Sequence, residues 1–341
     1  MVVFVTGATG LLGSHLLYFL AVAGHIVLAL RREQSCLEDT LDVFRQYPGG
    51  DALWQRINWV VGDVLHPETL AGHIRRAGCV YHCAAMVSFN EEDKGYLLKT
   101  NLKGTENVAA LCLEYKRRLC YVSSIAALGD AEVSGDFIDE DTPVIAGREH
   151  SVYSHSKGEA EKIVWKYIGD GLDAVMVCPS VILGAGMWKR SSARLFLLAV
   201  KGVPVYTRGV TGYVDVRDVC ELMIRLSEDR EVKGKRFVLN GGNYSYQELF
   251  DTVARVAGKW SPFLYLSPWM SGIIWRLSAF TGKLTGNKPA FTRETARTSH
   301  QCSYYSNARI LTLYTDFHFY TLQETVEHIY KQFLTFVPHH K

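Results

Sequence analysis

A tyrosine and a lysine stand four residues apart in the stretch "HSVYSHSKGEAEK", at Tyr153 and Lys157. Residues at i and i+4 of a helix share one face, so a helix that begins here would place a phenol near an ammonium group. To act as an acid and base near neutrality, a tyrosine needs its pKa of about 10 lowered by roughly 2 to 3 units, and a neighbouring ammonium supplies the field. By itself the spacing is more typical of a surface helix, with Glu161 ready for a solvated ion pair one turn after Lys157.

A second chemical signal is the glycine pattern in "VVFVTGATGLLGSHLL", with Gly7, Gly10 and Gly13 between an apolar strand and a helix. Glycine lets a turn close tightly and lets backbone amides approach a pyrophosphate, while the helix N-terminus supplies partial positive charge. The strand before and the helix after favour a dinucleotide-binding turn over a plain glycine turn. We expect cofactor contacts from this turn at Gly7, Thr9, Gly10, Leu11, Leu12 and Gly13.

The second apolar strand, "HIVLAL", ends in Arg31 and Arg32 instead of an acidic residue. An acidic residue there would accept hydrogen bonds from the ribose 2′-hydroxyl of NAD, whereas arginine clamps a 2′-phosphate. The pair therefore favours NADP(H), with NAD(H) as the alternative; two solvated arginines at a strand end are the other interpretation. Asp63, in "VVGDV", is either an acceptor on the adenine side or a turn residue.

The elements that must position these residues are apolar runs that alternate with helical patterns through the first half of the chain. Strands that are apolar at every position are buried on both faces, as in a parallel sheet between helices. The pattern predicts an α/β fold, a Rossmann-type doubly wound parallel sheet with a smaller, mainly helical C-terminal lobe. We expect the sheet domain over residues 1–180 and a substrate lobe over residues 181–341, partly interdigitated with the sheet.

Composition narrows the classes of partner. The chain has 341 residues and a formal net charge of +2, without a basic stripe for nucleic acid, so a small molecule is the expected partner. Eight cysteines occur singly and lack zinc spacing, which predicts free thiols and no metal site. The chain opens directly with "MVVFVTG", and we expect a reduced, cytoplasmic protein.

The motifs "TGATGLLG", "GDV", "HCAA", "NLKGTENV", "YVSS", "YSHSKGEAE" and "GYVDVRDV" follow one another over roughly residues 1–240. In this order and spacing they resemble the extended short-chain dehydrogenase/reductase superfamily. The tail "FLYLSPWMSGIIWRLSAFTGKLTGNKPAFTRE" with "YYSNARI" is similar to the dihydroflavonol 4-reductase and 3β-hydroxysteroid dehydrogenase branch. That narrower likeness suggests a substrate lobe, without naming a substrate.

The resemblance implies a catalytic set of Tyr153, Lys157, Ser124 and Asn101. In the family, the tyrosine exchanges a proton with the substrate oxygen, and the lysine also holds the nicotinamide ribose. The second serine of "YVSS", Ser124, hydrogen-bonds the reacting oxygen, with Ser123 as the alternative. Asn101 matches a helix asparagine that organises the site, although a simple helix asparagine is nearly as typical.

The resemblance also implies cofactor contacts after the third, fourth and sixth predicted strands. These residues are Asp63, Val64, Cys83, Ala84, Ala85, Pro179 and Val181, with Ser180 beside them. Where many relatives have arginine before this proline, the chain has Cys178, so the resemblance does not fix the geometry of this loop.

The expected function is NADP-dependent hydride transfer between a hydrophobic carbonyl compound and its alcohol. A 4,6-dehydratase is disfavoured because "SSIAALG" lacks its acidic pair. A nucleotide-sugar epimerase and a non-enzymatic NADP(H) sensor remain alternatives, although the tyrosine and lysine disfavour the sensor.

Two further expectations concern surfaces. The segment "SPFLYLSPWMSGIIW", residues 261–275, is too short to span a bilayer and is typical of a buried or interfacial helix. Pocket lining, contact with a membrane surface and plain core all remain open for it. The helices at about 91–115 and 153–168 could pair between two chains, as in dimeric relatives, so a homodimer is an open expectation.

Overall fold

The computed structural model describes residues 1–88, 91–131, 133, 135–145, 151–188, 193–285 and 292–336. Its strands are β1 Val2–Thr6, β2 Ile26–Arg31, β3 Asn58–Val61, β4 Cys79–His82, β5 Arg118–Val122, β6 Phe137–Ile138, β7 Ala174–Pro179, β8 Val181–Leu183, β9 Val205–Tyr206, β10 Val210–Asp215, β11 Lys235–Leu239, β12 Gly242–Ser245, β13 Leu264–Tyr265 and β14 Tyr304–Tyr305. Its α-helices are α1 Leu11–Val22, α2 Glu38–Arg45, α3 Gly50–Trp54, α4 Ala71–Arg76, α5 Lys94–Leu98, α6 Gly104–Glu114, α7 Val152–Gly169, α8 Ala193–Lys201, α9 Val216–Glu228, α10 Tyr246–Val256, α11 Pro268–Thr285, α12 Arg293–Thr298, α13 Ala308–Leu313 and α14 Leu322–Phe336.

The main sheet has the order β11-β7-β5-β4-β1-β2-β3, and every neighbouring pair is parallel. Side chains alternate between its faces, so Val3 and Val5 belong to one core while Phe4 belongs to the other. Helices α1 and α9 contribute to the first core, and α4, α6 and α7 to the second. The predicted doubly wound parallel sheet is confirmed, because apolar strands of this kind need cover on both faces.

A third apolar cluster lies among the later elements. Helices α8, α10 and α14 pack there with strands β8 and β10 around residues such as Phe196, Leu249 and Val326. Strand β10 pairs with β8 on one side and β12 on the other, in a separate small sheet. "GYVDVRDVCELMIRLSE" forms the end of β10 and then α9, as the pattern predicted.

The late apolar segment differs from the prediction. The helix over it begins at Pro268 instead of residue 261, and the preceding residues contain the short strand β13. Proline has no N–H to donate and suits the first turn of a helix, which explains the start at Pro268. Several apolar side chains of this segment are exposed, so it is not plain core.

The strand order reverses beside β1, which has β2 on one side and β4 on the other. Ligands of open parallel sheets bind outside the carboxyl ends of the strands at such a reversal. The glycine turn after β1 and the residues after β4 therefore meet where a ligand is expected. In the part of the chain that the structure describes, no helix has the length and apolar character to cross a membrane.

Candidate active site

Tyr153 lies in the first turn of α7. Ser151 caps this helix, and its hydroxyl accepts a hydrogen bond of 3.0 Å from the Ser154 N–H. The cap fixes where the helix begins and places Tyr153 at the helix N-terminus, half-buried. Lys157 follows one turn later and is buried.

The Lys157 ammonium reaches back to the sheet. Its Nζ donates to the Val122 carbonyl at 2.7 Å and lies 3.4 Å from the Tyr121 hydroxyl. It also lies 5.0 Å from the centroid of the Tyr121 ring, within the range of a cation–π contact. Burial lowers the pKa of Lys157 to about 8, although Cys178, Glu161 and Cys83 act in the opposite direction.

Tyr153 and Ser124 interact through their hydroxyl groups, which brings the helix start to the end of β5. Burial raises the pKa of Tyr153, and the Ser124 hydrogen bond only partly offsets the rise. The predicted lowering of this pKa by Lys157 is therefore wrong for the protein chain alone. The Lys157 ammonium is held against the Val122 carbonyl, and loss of water dominates at Tyr153.

The two serines of "YVSS" have different surroundings. Ser124 caps a short 3-10 helix at Ile125–Ala127, where its Oγ accepts a hydrogen bond of 3.1 Å from the Ala126 N–H. Ser123 is buried, and its hydroxyl donates to Glu161 Oε2 at 2.7 Å. Of the two, Ser124 is the serine that meets Tyr153.

Asn101 lies in a π-helical turn, Lys99–Lys103, between α5 and α6. Its side chain accepts from the Met86 N–H at 2.7 Å and donates to the Met86 carbonyl at 3.0 Å and to Ser156 Oγ at 2.9 Å. Asn101 thus joins the segment after β4 to the tyrosine–lysine helix. π-helical turns inside α-helices are frequent at functional sites.

Glu161 does not form the solvated ion pair of the alternative, surface-helix interpretation. Its side chain is only 3% exposed, and its carboxylate pairs with Arg236 of β11. It also accepts from Ser123 and, at 3.2 Å, from the Trp165 indole N–H. Cys178, which stands where many relatives have arginine, is buried against this carboxylate, 3.8 Å away, and burial raises the pKa of its thiol. Arg236, from the neighbouring strand, supplies the positive charge.

The glycine turn is closely packed against the strand-end residues. Gly7 has a φ of +68°, and a Cβ there would lie 2.6 Å from the Ala84 nitrogen. A Cβ on Gly13 would lie 2.1 Å from the Gly7 carbonyl oxygen, so helix α1 can approach the turn only with glycine there. Gly10 caps α1 without a side-chain hydrogen bond, and the first turn holds no acidic residue. The N–H groups of that turn, which include those of Leu11 and Leu12, suit a pyrophosphate.

The arginines at the end of β2 are not equivalent. Arg31 donates through one terminal nitrogen to the Glu33 carbonyl at 3.1 Å, and its buried Nε has no partner among the described residues. Arg32 is half exposed, and its Nε lies 3.5 Å from Asp63 Oδ2. Asp63 also accepts from the Leu65 N–H at 2.9 Å, so it is a turn residue that still faces this region. An unpaired guanidinium donor fits a phosphate group.

The other predicted cofactor residues lie along the same sheet edge. Cys83, Ala84 and Ala85 follow β4, and burial raises the pKa of the Cys83 thiol to about 12. Val64 is buried against Gly104 at the start of α6. Pro179 ends β7 and Val181 begins β8, while Ser180 between them is held by the Leu239 carbonyl. Thr9 is half-buried beside the glycine turn.

His82 is a residue of this region that the sequence analysis did not single out. Its Nδ1 lies 2.7 Å from the Thr6 hydroxyl and its Nε2 3.2 Å from the Thr105 hydroxyl. Thr6 in turn accepts from the Ala84 N–H at 3.3 Å. Burial lowers the pKa of His82 to about 3, so the ring is neutral and ties β1, the residues after β4 and α6 together. A histidine at the end of a buried strand, in "HCAA", was the available signal.

No group of three potential metal-ligating side chains occurs among the residues for which positions are described. All eight cysteines are free thiols; Cys36 and Cys302 are exposed, and the others are buried or half-buried.

Several described proteins are similar to this chain over most of its length. A Synechocystis sp. protein named "Putative dihydroflavonol 4-reductase" is 27% identical over 315 residues, covering 90% of this chain and 87% of the relative. Sterol demethylase protein B of Methylococcus capsulatus is 27% identical, covering 79% and 78%. A 4-hydroxy-2-methyl-3-oxo-4-farnesyl-3,4-dihydroquinoline-1-oxide ketoreductase of Stigmatella aurantiaca is 28% identical, covering 70% and 68%.

Solved structures show the same fold. The crystal structure of gox2253 superposes with a TM-score of 0.79 at 28% identity and covers 98% of both chains. The UDP-glucose 4-epimerase of Thermus thermophilus, solved with NAD, gives a TM-score of 0.74 at 22% identity, covering 98% of this chain and 99% of that one. This second likeness concerns the fold alone.

The sequence profile of one family matches residues 3–240, which include the glycine turn, Ser124, Tyr153 and Lys157. The match covers well over half of the chain, and the relatives above agree with the extended short-chain dehydrogenase/reductase superfamily. The chain belongs to the NAD dependent epimerase/dehydratase family.

Proposed function

We propose that the protein is an NADPH-dependent reductase that converts a hydrophobic carbonyl compound to its alcohol. The observation that carries the proposal is the meeting of the Tyr153 and Ser124 hydroxyls at the carboxyl edge of the sheet, one turn from the buried Lys157. This edge also holds the glycine turn. Bound there, the cofactor supplies the hydride.

Two side chains, those of Tyr153 and Ser124, act directly on the substrate oxygen, and that of Lys157 acts indirectly. Tyr153 donates its phenolic proton to the carbonyl oxygen as negative charge develops there. Ser124 donates a hydrogen bond to the same oxygen and stabilises that charge. Lys157, fixed by the Val122 carbonyl one turn after Tyr153, would hold the nicotinamide ribose of the bound cofactor, as the family resemblance implies.

Tyr153 carries the proton that carbonyl reduction uses. Because burial raises its pKa above the usual value near 10, the phenol carries its proton at neutral pH. Reduction consumes that proton, whereas alcohol oxidation requires a phenolate that accepts one.

The preference for NADPH rests on Arg31 and Arg32. The guanidinium groups of Arg31 and of the half-exposed Arg32 supply positive charge at the end of β2, where a 2′-phosphate would bind. Asp63 also faces this region, but its carboxylate already accepts from the Leu65 N–H and lies near Arg32. A charged donor pair at this position favours the extra phosphate of NADP(H) over NAD(H).

The substrate class is proposed from the relatives. Relatives at 27–28% identity are named for a dihydroflavonol, a sterol and a farnesylated dihydroquinoline oxide, each a ring compound of largely apolar character.

The test follows the loss of NADPH absorbance, with NADH alongside, over a panel of hydrophobic ketones and aldehydes and a set of nucleotide-sugars. We expect turnover with at least one hydrophobic carbonyl compound and a preference for NADPH. Tyr153→Phe should retain NADPH binding and lose at least about 100-fold in turnover, since general acid catalysis contributes that much or more.

Tyr115→Phe is the matched control, because Tyr115 follows the C-terminal end of α6, away from the site. It should keep full turnover. Epimerisation of a nucleotide-sugar without net NADPH loss would replace the proposal with the epimerase alternative. Tight NADPH binding with no reaction on the whole panel would favour a sensor.

A further inference from the structure

The segment from Trp260 to Leu277 presents large apolar side chains to solvent. Trp260 is 84% exposed, Trp269 74% and Phe263 72%. Further exposed apolar residues of this segment are Leu264, Ile273, Ile274 and Leu277. A soluble protein rarely leaves a continuous stretch of such residues uncovered, so this surface is expected to bind something.

Helix α11 shows that the exposure follows a pattern. Trp269, Ile273 and Leu277 are spaced four residues apart and therefore share one face, which points to solvent. Ser271, on another face, is buried, and its hydroxyl lies 2.8 Å from His300 Nε2 beside α12. The helix thus turns a polar residue inward and its apolar stripe outward, the reverse of a water-facing amphipathic helix.

The sequence on and around this segment carries charge of only one sign. Between Asp251 and Glu294 the sequence contains no acidic residue, whereas it contains Arg255, Lys259, Arg276, Lys283, Lys288 and Arg293. The whole chain is almost balanced, with 37 basic and 35 acidic residues, so this stretch is a local exception. The exposed Arg276 guanidinium lies 4.9 Å from the Trp275 ring centroid, which places a cation beside the apolar stripe.

We propose that residues 260–277 dock the protein on the surface of an anionic lipid bilayer. Tryptophan favours the headgroup level of membranes, where its ring is apolar and its N–H stays wet. Exposed apolar side chains would enter the boundary between headgroups and acyl chains, and the exposed Lys259 and Arg276 would meet anionic headgroups. Since no helix of the described residues could cross the bilayer, the contact is with one surface.

A lipid surface fits this segment better than a second copy of the chain. Two copies related by symmetry would bring together the same basic stretch from each side, and like charges repel. An anionic bilayer offers the opposite charge over a broad area. This inference does not depend on the proposed reductase activity.

The test is co-sedimentation of the full chain with vesicles of phosphatidylcholine alone and of phosphatidylcholine with phosphatidylglycerol at about 3:1. We expect binding to the anionic vesicles that weakens with salt, since exposed charges are screened. The double substitution Trp260→Gln and Trp269→Gln should lower the partition coefficient at least tenfold, and Lys259→Ser with Arg276→Ser should lower it on anionic vesicles only. Quenching of tryptophan emission by brominated lipid should occur in the natural chain and fall in the tryptophan variant.

The matched control is Val22→Gln with Ile26→Gln, two exposed apolar residues outside the segment, each 56% exposed. This variant should bind like the natural chain. Absence of binding to anionic vesicles would overturn the proposal, as would equal binding by the tryptophan variant. A lipid-free dimer that the tryptophan substitutions dissociate, without vesicle binding, would assign the surface to a second copy instead.

Discussion

Arg236 of β11 forms an ion pair with Glu161 of α7, one helical turn after Lys157. The Arg236 guanidinium also donates to the Glu140 carbonyl through Nε at 2.9 Å. Ser123, adjacent to the proposed catalytic Ser124, donates to the same Glu161 carboxylate at 2.7 Å. The pair therefore connects the tyrosine–lysine helix to the sheet behind the proposed site.

Removal of this arginine should destabilise the fold. Arg236→Met leaves Glu161 buried without its cation, and loss of one partner of a buried pair costs about 3 kcal/mol or more. Urea unfolding at neutral pH measures the change. Combining it with Glu161→Gln should recover part of the loss, because the uncompensated charge is then gone.

The control for that experiment is Arg225→Met. Arg225 pairs with Glu221 and Asp316 on the surface, where such pairs contribute only about 0 to 1 kcal/mol. If the Arg236 variant is no less stable than the Arg225 variant, the buried pair is not a structural requirement. If the double variant with Glu161→Gln is less stable than Arg236→Met alone, the uncompensated charge of Glu161 is not the reason for the loss of stability.

Lys157 should make stability depend on pH in the alkaline range. Its pKa falls from the usual 10.5 to about 8 in the folded protein, because burial disfavours the charged form. Between these values the unfolded chain binds more protons than the folded one, so the free energy of unfolding should rise with pH from about 8 to 10.5. The rise from this residue is about 3 kcal/mol.

Unfolding curves at pH 7, 8, 9 and 10 for the natural chain and Lys157→Met isolate this contribution, since other groups titrate equally in both. The difference in the free energy of unfolding between the natural chain and Lys157→Met should change with pH over this range. Lys162→Met, on the same helix but exposed, should leave the pH dependence of the natural chain intact. Parallel curves for the natural chain and Lys157→Met would contradict the lowered pKa.

Arg31 and Arg32 should set the cofactor preference. Replacing both with alanine removes the donors proposed for the 2′-phosphate, and hydrogen bonds to charged groups contribute about 1.5 to 3 kcal/mol each. We expect NADPH affinity to fall at least tenfold while NADH affinity stays nearly constant. Fluorescence titration with each cofactor measures both, and Arg45→Ala, on the exposed side of α2, is the control. Equal losses for both cofactors would indicate a structural role.

The sheet could be predicted because its strands are apolar on both faces, a pattern with few alternatives. The glycine turn was also predictable, since Gly7 and Gly13 tolerate no Cβ where the backbone approaches so closely. The environment of Glu161 was not, because spacing along α7 does not reveal which residue faces it. Its partner, Arg236, arrives from a strand 75 residues later in the chain.

The pKa of Tyr153 was predicted wrongly, and the sequence left open whether α11 is buried or exposed, for related reasons. A tyrosine–lysine spacing predicts a shared helix face, but the Lys157 ammonium is taken up by the Val122 carbonyl, and burial dominates at Tyr153. An apolar stripe such as Trp269, Ile273 and Leu277 predicts a buried face in most soluble proteins. Which side of the helix meets the protein is decided by contacts such as Ser271 with His300.

Gly7 and Gly24 offer a matched pair for testing the turn. Both have positive φ, +68° and +79°, which L side chains rarely adopt. A Cβ on Gly24 would meet open space, whereas a Cβ on Gly7 would lie 2.6 Å from the Ala84 nitrogen and the Cys83 carbonyl carbon. Gly24→Ala should therefore cost only the conformational strain, about 1 to 2 kcal/mol, and leave NADPH binding unchanged.

Gly7→Ala should cost clearly more, because the same strain is joined by overlap with backbone that cannot move aside. The turn must shift away from the residues after β4, and NADPH affinity should fall at least tenfold. Urea unfolding and fluorescence titration of both variants measure the two effects. Equal stability losses would show that the backbone around Gly7 yields to a methyl group, and unchanged NADPH affinity in Gly7→Ala would separate this turn from cofactor binding.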